Sequence, residues 1–230
     1  MIMPRYRIRY SKKGPARFIS HLDLLRTFER AIRRAGLPVA FSQGFNPHPK
    51  FSFGAPLPVG VPGENEYMDI ELAEEMPPGD IVKSLGGALP GGLDLEAVFQ
   101  VPDNSPAIMS LIDRAGYTVR LDFNEPIDAG LFERCMSDLL ALPELQVTRT
   151  NKEGRKKTHD IRPGIFKLEG VVYGDVAVLE MEIKTGSAGN IRPEEVIREL
   201  TGIGNLPVAE YGIHITRNVL YAPGGRSLDE

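Results

Sequence analysis

The chain has 230 residues, 42% of them hydrophobic and 25% charged, the composition of an ordinary globular protein long enough to bury a core without staples. Its single cysteine, Cys135, excludes an internal disulfide framework and any Cys-rich metal site. The net charge of −4 conceals an asymmetry: residues 1–50 carry 11 Lys and Arg against 2 acids, and the remaining 180 carry 16 against 29. So basic a segment on an acidic chain suggests a polyanionic partner, or else a patch that docks on the chain's own acids or on a partner protein.

Arg5 to Tyr10 reads Arg-Tyr-Arg-Ile-Arg-Tyr, the period of a strand with Tyr6, Ile8 and Tyr10 packed and a row of guanidiniums, Arg5, Arg7 and Arg9, on the other face. Lys12-Lys13-Gly14-Pro15 then reads as a basic turn, with Arg17 following it. Ser20, with Asp23 three residues on, marks a helix start close to a capping box. Leu22, Leu25, Phe28, Ile32 and Ala35 form one face of this helix, and Arg26, Arg30, Arg33 and Arg34 fall largely on the opposite one. Gly36 and Pro38 stop it. His21 occupies its first turn, as a candidate general base or as a plain packing residue.

Leu37 to Ser42 is predicted as a short second strand. After it comes Gln43-Gly44-Phe45-Asn46-Pro47-His48-Pro49-Lys50, where two prolines stiffen the backbone around His48. Rings for stacking (Phe45, Phe51, Phe53) and donors (Asn46, His48, Lys50) together resemble a nucleotide-facing surface. The alternative is a stiff loop whose phenylalanines return to the core. Glu66 to Leu72 alternates as a strand with an acidic outer face, Asp69 and Glu71 sharing a side. A short helix within 77–89 and a strand over 93–101 complete β-α-β-β-α-β.

Pro102 to Pro106 reads as a linker. The same element order is then expected again: a strand over 116–123, a helix over 129–142, a strand over 145–150, a strand or hairpin pair within 156–183, a helix over 192–200 and a strand over 213–221. The fold expected is therefore α+β, two duplicated ferredoxin-like domains with antiparallel sheets and helices on one face. Their bounds are 1–102 and 116–223, with a linker at 103–115 and a disordered tail at 224–230. Residues 149–167 hold seven Lys and Arg against Glu153 and Asp160, so a basic hairpin carrying Arg155, Lys156 and Lys157 becomes a second candidate for gripping a phosphate backbone. No apolar run is long enough for a membrane span and the first ten residues lack a signal peptide's apolar block, so a cytoplasmic protein is expected. No His-rich metal spacing occurs, and neither metal nor cofactor is expected.

The segments Phe18-Ile-Ser-His-Leu-Asp23, Gln43-Gly-Phe-Asn-Pro-His-Pro-Lys50 and Glu66-Tyr-Met-Asp-Ile-Glu71 resemble a bacterial family known as radical SAM-linked proteins, domains of unknown function fused to or encoded beside radical SAM proteins. The resemblance covers most of the chain. It implies an accessory role near radical S-adenosylmethionine chemistry. With one cysteine, the chain lacks the three ligands such a cluster uses, so any cluster would belong to the partner. By fold-level analogy alone the chain also looks like CRISPR repeat-processing endoribonucleases, which pair two ferredoxin-like domains.

Three functions follow as expectations. The first is a non-catalytic RNA-binding accessory of a radical SAM protein, contacting RNA through Arg7, Arg9, Arg17, Arg26, Arg30, Arg33, Phe45, Asn46, His48, Lys50, Arg155, Lys156 and Lys157. The second is a protein-docking module without RNA contact. The third is a metal-independent endoribonuclease in which His21, His48 and Lys50 supply base, acid and cation.

Overall fold

The computed structural model describes residues 3–102 and 104–229. Asp103 of the expected linker and Glu230 of the expected tail lie outside the described residues. The chain is α+β and divides into two compact units, one formed by residues 1–113 with 217–230 and the other by residues 114–216.

In the first unit, β1 (Arg5–Lys12) lies between β3 (Gly63–Glu71) and β4 (Leu93–Val101), antiparallel to both. The three-residue β2 (Phe51–Phe53) joins β3 antiparallel, and residue 217 of β10 (Val208–Tyr221) meets Gly63 of β3 in parallel. The strand order is thus β4-β1-β3-β2. Helices α1 (His21–Arg34) and α2 (Pro78–Gly86) lie on one face, because alternation sends Tyr6, Ile8, Tyr10, Met68 and Ile70 to that side. Leu24, Phe28, Ile32, Ile81 and Leu85 meet them there in one core. Phe28 and Phe53 pack edge-to-face at 5.3 Å, and Phe28 packs the same way on Tyr10 at 5.1 Å. Ser20 caps α1, its Oγ accepting the Asp23 N–H at 3.2 Å. Gly36, at φ +65°, ends it.

The sheet's other face departs from expectation. The register sets Arg5 against Glu71 and Arg7 against Asp69, so the arginine row of β1 and the acids of β3 share one side and neutralise each other. Leu228 and Asp229, within the tail expected to be disordered from residue 224, lie over this face. Leu228 is buried, its carbonyl accepts from Arg7 at 2.9 Å, and Asp229 pairs with Arg9 and accepts the Tyr67 hydroxyl at 2.9 Å. Arg5 donates to the carbonyls of Ser105 and Pro106, and the short helix α3 (Ile108–Leu111) follows. The strand expected at 37–42 is reduced to two isolated bridges, Val39 to Leu72 and Phe41 to Pro49, while residues 51–53 form β2.

The second unit carries β5 (Arg114–Phe123), α4 (Ala129–Ala141), a separate hairpin of β6 (Gln146–Thr150) and β7 (Lys156–Asp160), then β8 (Ile165–Tyr173), β9 (Val176–Lys184) and α5 (Pro193–Ile203). Its sheet runs β10-β5-β9-β8, with β5 and β8 both antiparallel to β9. Phe132, Cys135, Met136 and Leu139 of α4 and Val196, Ile197 and Leu200 of α5 are buried, as are Val119, Leu121, Leu179, Met181 and Ile183 on the strands. Burial pushes the Cys135 thiol up, away from the reactive thiolate. Among the described residues no helix is long and apolar enough to cross a membrane.

Candidate functional site

Beyond Gly36 the chain turns back along β3. Ala40 donates to the Glu71 carbonyl at 2.9 Å, and Lys50 donates its backbone N–H to Ala40 at 2.8 Å. Between them stands a small hairpin. Phe41 bridges Pro49, Ser42 N–H bonds the His48 carbonyl at 2.9 Å, and His48 N–H bonds the Ser42 hydroxyl at 3.0 Å. Pro47 and Pro49 fix the backbone on both sides of His48. At the tip Phe45 is fully exposed, and Asn46 and His48 are exposed beside it. An exposed phenylalanine on a pinned, polar loop satisfies nothing within its own unit.

The base of this hairpin meets the outer side of α1. A groove of about 310 Å³ runs between them, lined by Glu29, Ile32, Arg33, Leu37, Phe41 and Pro49. Arg26, Arg30 and Arg33 are exposed on α1. Arg26 pairs with Asp23 at 3.4 Å and Arg33 with Glu29 at 3.6 Å, solvent-open pairs that leave both guanidiniums competent for another anion. Arg34 donates to the Ala88 carbonyl at 2.6 Å.

The other predicted contacts are placed differently. Arg7 is buried on Asp69, and Arg9 is half-buried on Asp229. Arg17 lies with its guanidinium 4.7 Å from the Phe18 ring centroid. Lys50 Nζ is bound to Glu71 at 2.8 Å, in a pocket of about 240 Å³ that also holds Arg5 and Asp69. Asp69, Glu71 and Asp229 thus take up the strand arginines and Lys50, while Arg26, Arg30 and Arg33 of the helix stay solvent-open.

His21 is not on this surface with His48. Its ring packs edge-on against Phe53 at 5.7 Å, over a narrow cleft lined by Tyr10, Lys12, Glu66 and Tyr67. That cleft is a buried polar cluster with no signal in the sequence. Arg217 forks onto Glu66, with Nε to Oε1 at 2.8 Å and Nη2 to Oε2, and it donates to the Ala55 carbonyl at 2.7 Å. Lys12, expected in an open turn, ends β1 buried and donates to the Ile19 carbonyl at 3.0 Å. Burial lowers its pKa, as the nearby Arg217 does, against the opposing charge of Glu66. Burial and Glu66 push the Tyr10 hydroxyl far up. These groups bond one another and the backbone, and they read as a structural anchor.

In the second unit, Arg155, Lys156 and Lys157 are exposed on the β6–β7 hairpin, and Asn151 Oδ1 shapes its turn by accepting from Glu153 and Arg155 at 3.0 and 2.8 Å. Three of the seven bases counted there are committed elsewhere, Lys167 to Glu169 on β8 at 3.1 Å. Arg149 forks onto Glu195 at 2.7 Å, and Arg162 donates to the Leu140 carbonyl at 2.6 Å. Among the described residues no group of three or more His, Cys, Asp or Glu side chains is placed to hold a metal.

Fold and surface together define an α+β protein with an arginine-bearing helix beside an aromatic-tipped hairpin. The chain belongs to the family described as uncharacterized protein conserved in bacteria (DUF2344), whose model matches residues 5–193. No curated protein matches it. Among solved structures it is similar to a chain of a Cbf5-Nop10-Gar1 complex (11% identity, 95% of this chain and 50% of that one, TM-score 0.49). It is also similar to a chain of the archaeal box H/ACA sRNP Nop10-Cbf5 complex (11%, 92% and 46%, TM-score 0.44). A third is an unknown protein from Galdieria sulphuraria (13%, 96% and 98%, TM-score 0.28). The chain spans about half the length of the first two. At these TM-scores the likenesses carry no functional argument.

Proposed function

We propose that this protein is a non-catalytic RNA-binding accessory whose contact surface is the outer side of α1 with the 41–49 hairpin. The observation that carries the reading is Phe45, a fully exposed ring on a proline-stiffened tip, in a hairpin whose base shares a groove with Arg33 of the arginine-bearing α1. A ring so placed offers a stacking platform for an unpaired base, and the arginines offer charge to the adjoining phosphates. Asn46 and His48 supply donors at the same tip. The contact set is therefore Arg26, Arg30, Arg33, Phe45, Asn46 and His48; Arg155, Lys156 and Lys157 form a second basic surface in the other unit. Arg7, Arg9 and Lys50 leave the set because their ion pairs are buried or half-buried, unlike the solvent-open pairs of Arg26 and Arg33.

The strand orders β4-β1-β3-β2 and β10-β5-β9-β8 support reading each unit as one ferredoxin-like β-α-β-β-α-β, with β6 and β7 inserted into the second. A radical SAM protein as partner rests on the sequence resemblance alone, as the family description names none. The nuclease reading loses support, since Lys50 is tied to Glu71 and His21 to Phe53. The docking reading keeps one supporting observation, the apolar groove under Phe41 and Pro49.

The test is binding of a fluorescent single-stranded RNA at low salt to the wild type and to Phe45→Ala. Loss of one stacked base weakens binding by about 5- to 150-fold, the equivalent of 1–3 kcal/mol. The thermal midpoint stays unchanged, because the ring packs on nothing. Absence of RNA binding by the wild type overturns the proposal.

A further inference from the structure

In the second unit, β8 closes the sheet order, hydrogen-bonded among the described residues to β9 and to no other strand. Its other edge presents backbone donors and acceptors along a nine-residue strand. Val171 and Tyr173 are exposed there, and between α4 and β8 lies a groove of about 540 Å³ lined by Phe132, Met136, Leu140, Leu168 and Val172. Long apolar edges of this kind are normally blunted by proline, by charge or by a cover. β8 has no proline, and a single base, Lys167.

The charges on β8 name the occupant. Lys167 and Glu169 flank Leu168 and pair with each other at 3.1 Å within the strand, so both point to the same face. A two-fold axis through Leu168 would set Lys167 opposite the copy's Glu169 and Glu169 opposite the copy's Lys167. Such an isologous contact is self-complementary in charge. The edge strand of the first unit behaves oppositely. β4 carries Asp94 and Glu96 and no base, so a copy paired about Leu95 would meet like charge.

We infer that β8 is a self-association edge, on which a second copy of this chain adds its own β8 antiparallel about Leu168, extending the sheet and covering the α4 groove. The occupant is thus this chain itself and not a foreign strand.

The experiment separates the contact between copies from the pair within one strand. Lys167→Glu gives an edge with two acids, and Glu169→Lys gives one with two bases. Both positions are solvent-open, so both variants fold, which circular dichroism checks. In light scattering across a concentration series the wild type is dimeric. Each variant alone dissociates at least tenfold more readily, and the two mixed form a one-to-one heterodimer, because acid then faces base at both positions. A wild type that stays monomeric at every concentration overturns the inference, as does a dimer indifferent to either substitution. A monomer that captures a foreign strand at this edge overturns it too.

Discussion

Arg217 and Glu66 make the most consequential pair of side chains in the first unit. Both are nearly inaccessible, at 1% and 4% side-chain exposure. The desolvation of two such charges is offset only while the fork between them is intact. Arg217→Met strands the Glu66 carboxylate and removes the donors to Ala55 and Pro56, so it should cost about 3–5 kcal/mol in urea unfolding. Adding Glu66→Leu should recover much of that loss, because a matched apolar pair avoids the buried charge. A double variant as unstable as the single one would mean the backbone contacts, not the ion pair, hold the 55–56 turn. No local pattern announces this pair: the two residues stand 151 positions apart, and each looks like a solvent-facing member of an alternating strand. Phe45 is the opposite case. Its flanking prolines and glycine made the loop legible, though only coordinates could show that its ring does not return to the core while those of Phe51 and Phe53 do.

At the scale of elements, the start of α5 is held from outside the helix. Glu195 accepts the Arg192 N–H at 3.1 Å and grips Arg149, which ties the β6–β7 hairpin to the helix. Burial alone would raise the Glu195 carboxyl. The bonds from Arg149 and from the Arg192 N–H, with their charges, overcome that and hold it below the ordinary value of 4.5. A carboxyl depressed in the folded state stabilises fully above its unfolded pKa and loses that contribution as pH falls through the folded one. Unfolding free energy should therefore drop as pH falls below 4.5, and Glu195→Gln should make the drop shallower in a urea series taken at stepped pH. An unchanged slope would place the acid sensitivity elsewhere. At α1 the stakes are smaller: Ser20→Ala removes one cap bond and should cost about 1 kcal/mol. That cap was legible because capping is local in sequence, and so were all five long helix and strand periods around it. The short β2 was not, since three residues carry no period and its pairing to β3 is a tertiary fact.

For the whole molecule the question is how much of the basic excess in residues 1–50 faces outward. The sequence gives a count and no address. Register decides the address, since Arg5, Arg7, Arg9 and Lys50 alternate onto the face that also carries Asp69 and Glu71 and lies under Asp229. Of the bases left exposed, Arg26, Arg30 and Arg33 are the ones on the surface proposed for RNA. Binding to single-stranded RNA releases about 0.7 counterion per phosphate neutralised, so three arginines give a slope of log K on log salt near −2. Measured by fluorescence anisotropy across a salt series, that slope should fall by about 0.7 for each of Arg26→Ala, Arg30→Ala and Arg33→Ala. It should stay unchanged for Arg9→Ala, which is bound to Asp229. A slope near −4 would bring in Arg155, Lys156 and Lys157 of the hairpin as well, and replacing those three would then return it to about −2. A slope near zero, with Phe45→Ala still weakening the complex, would make the surface a stacking site with no electrostatic grip, which an acidic protein reaches only if the α1 arginines point away from the strand it holds.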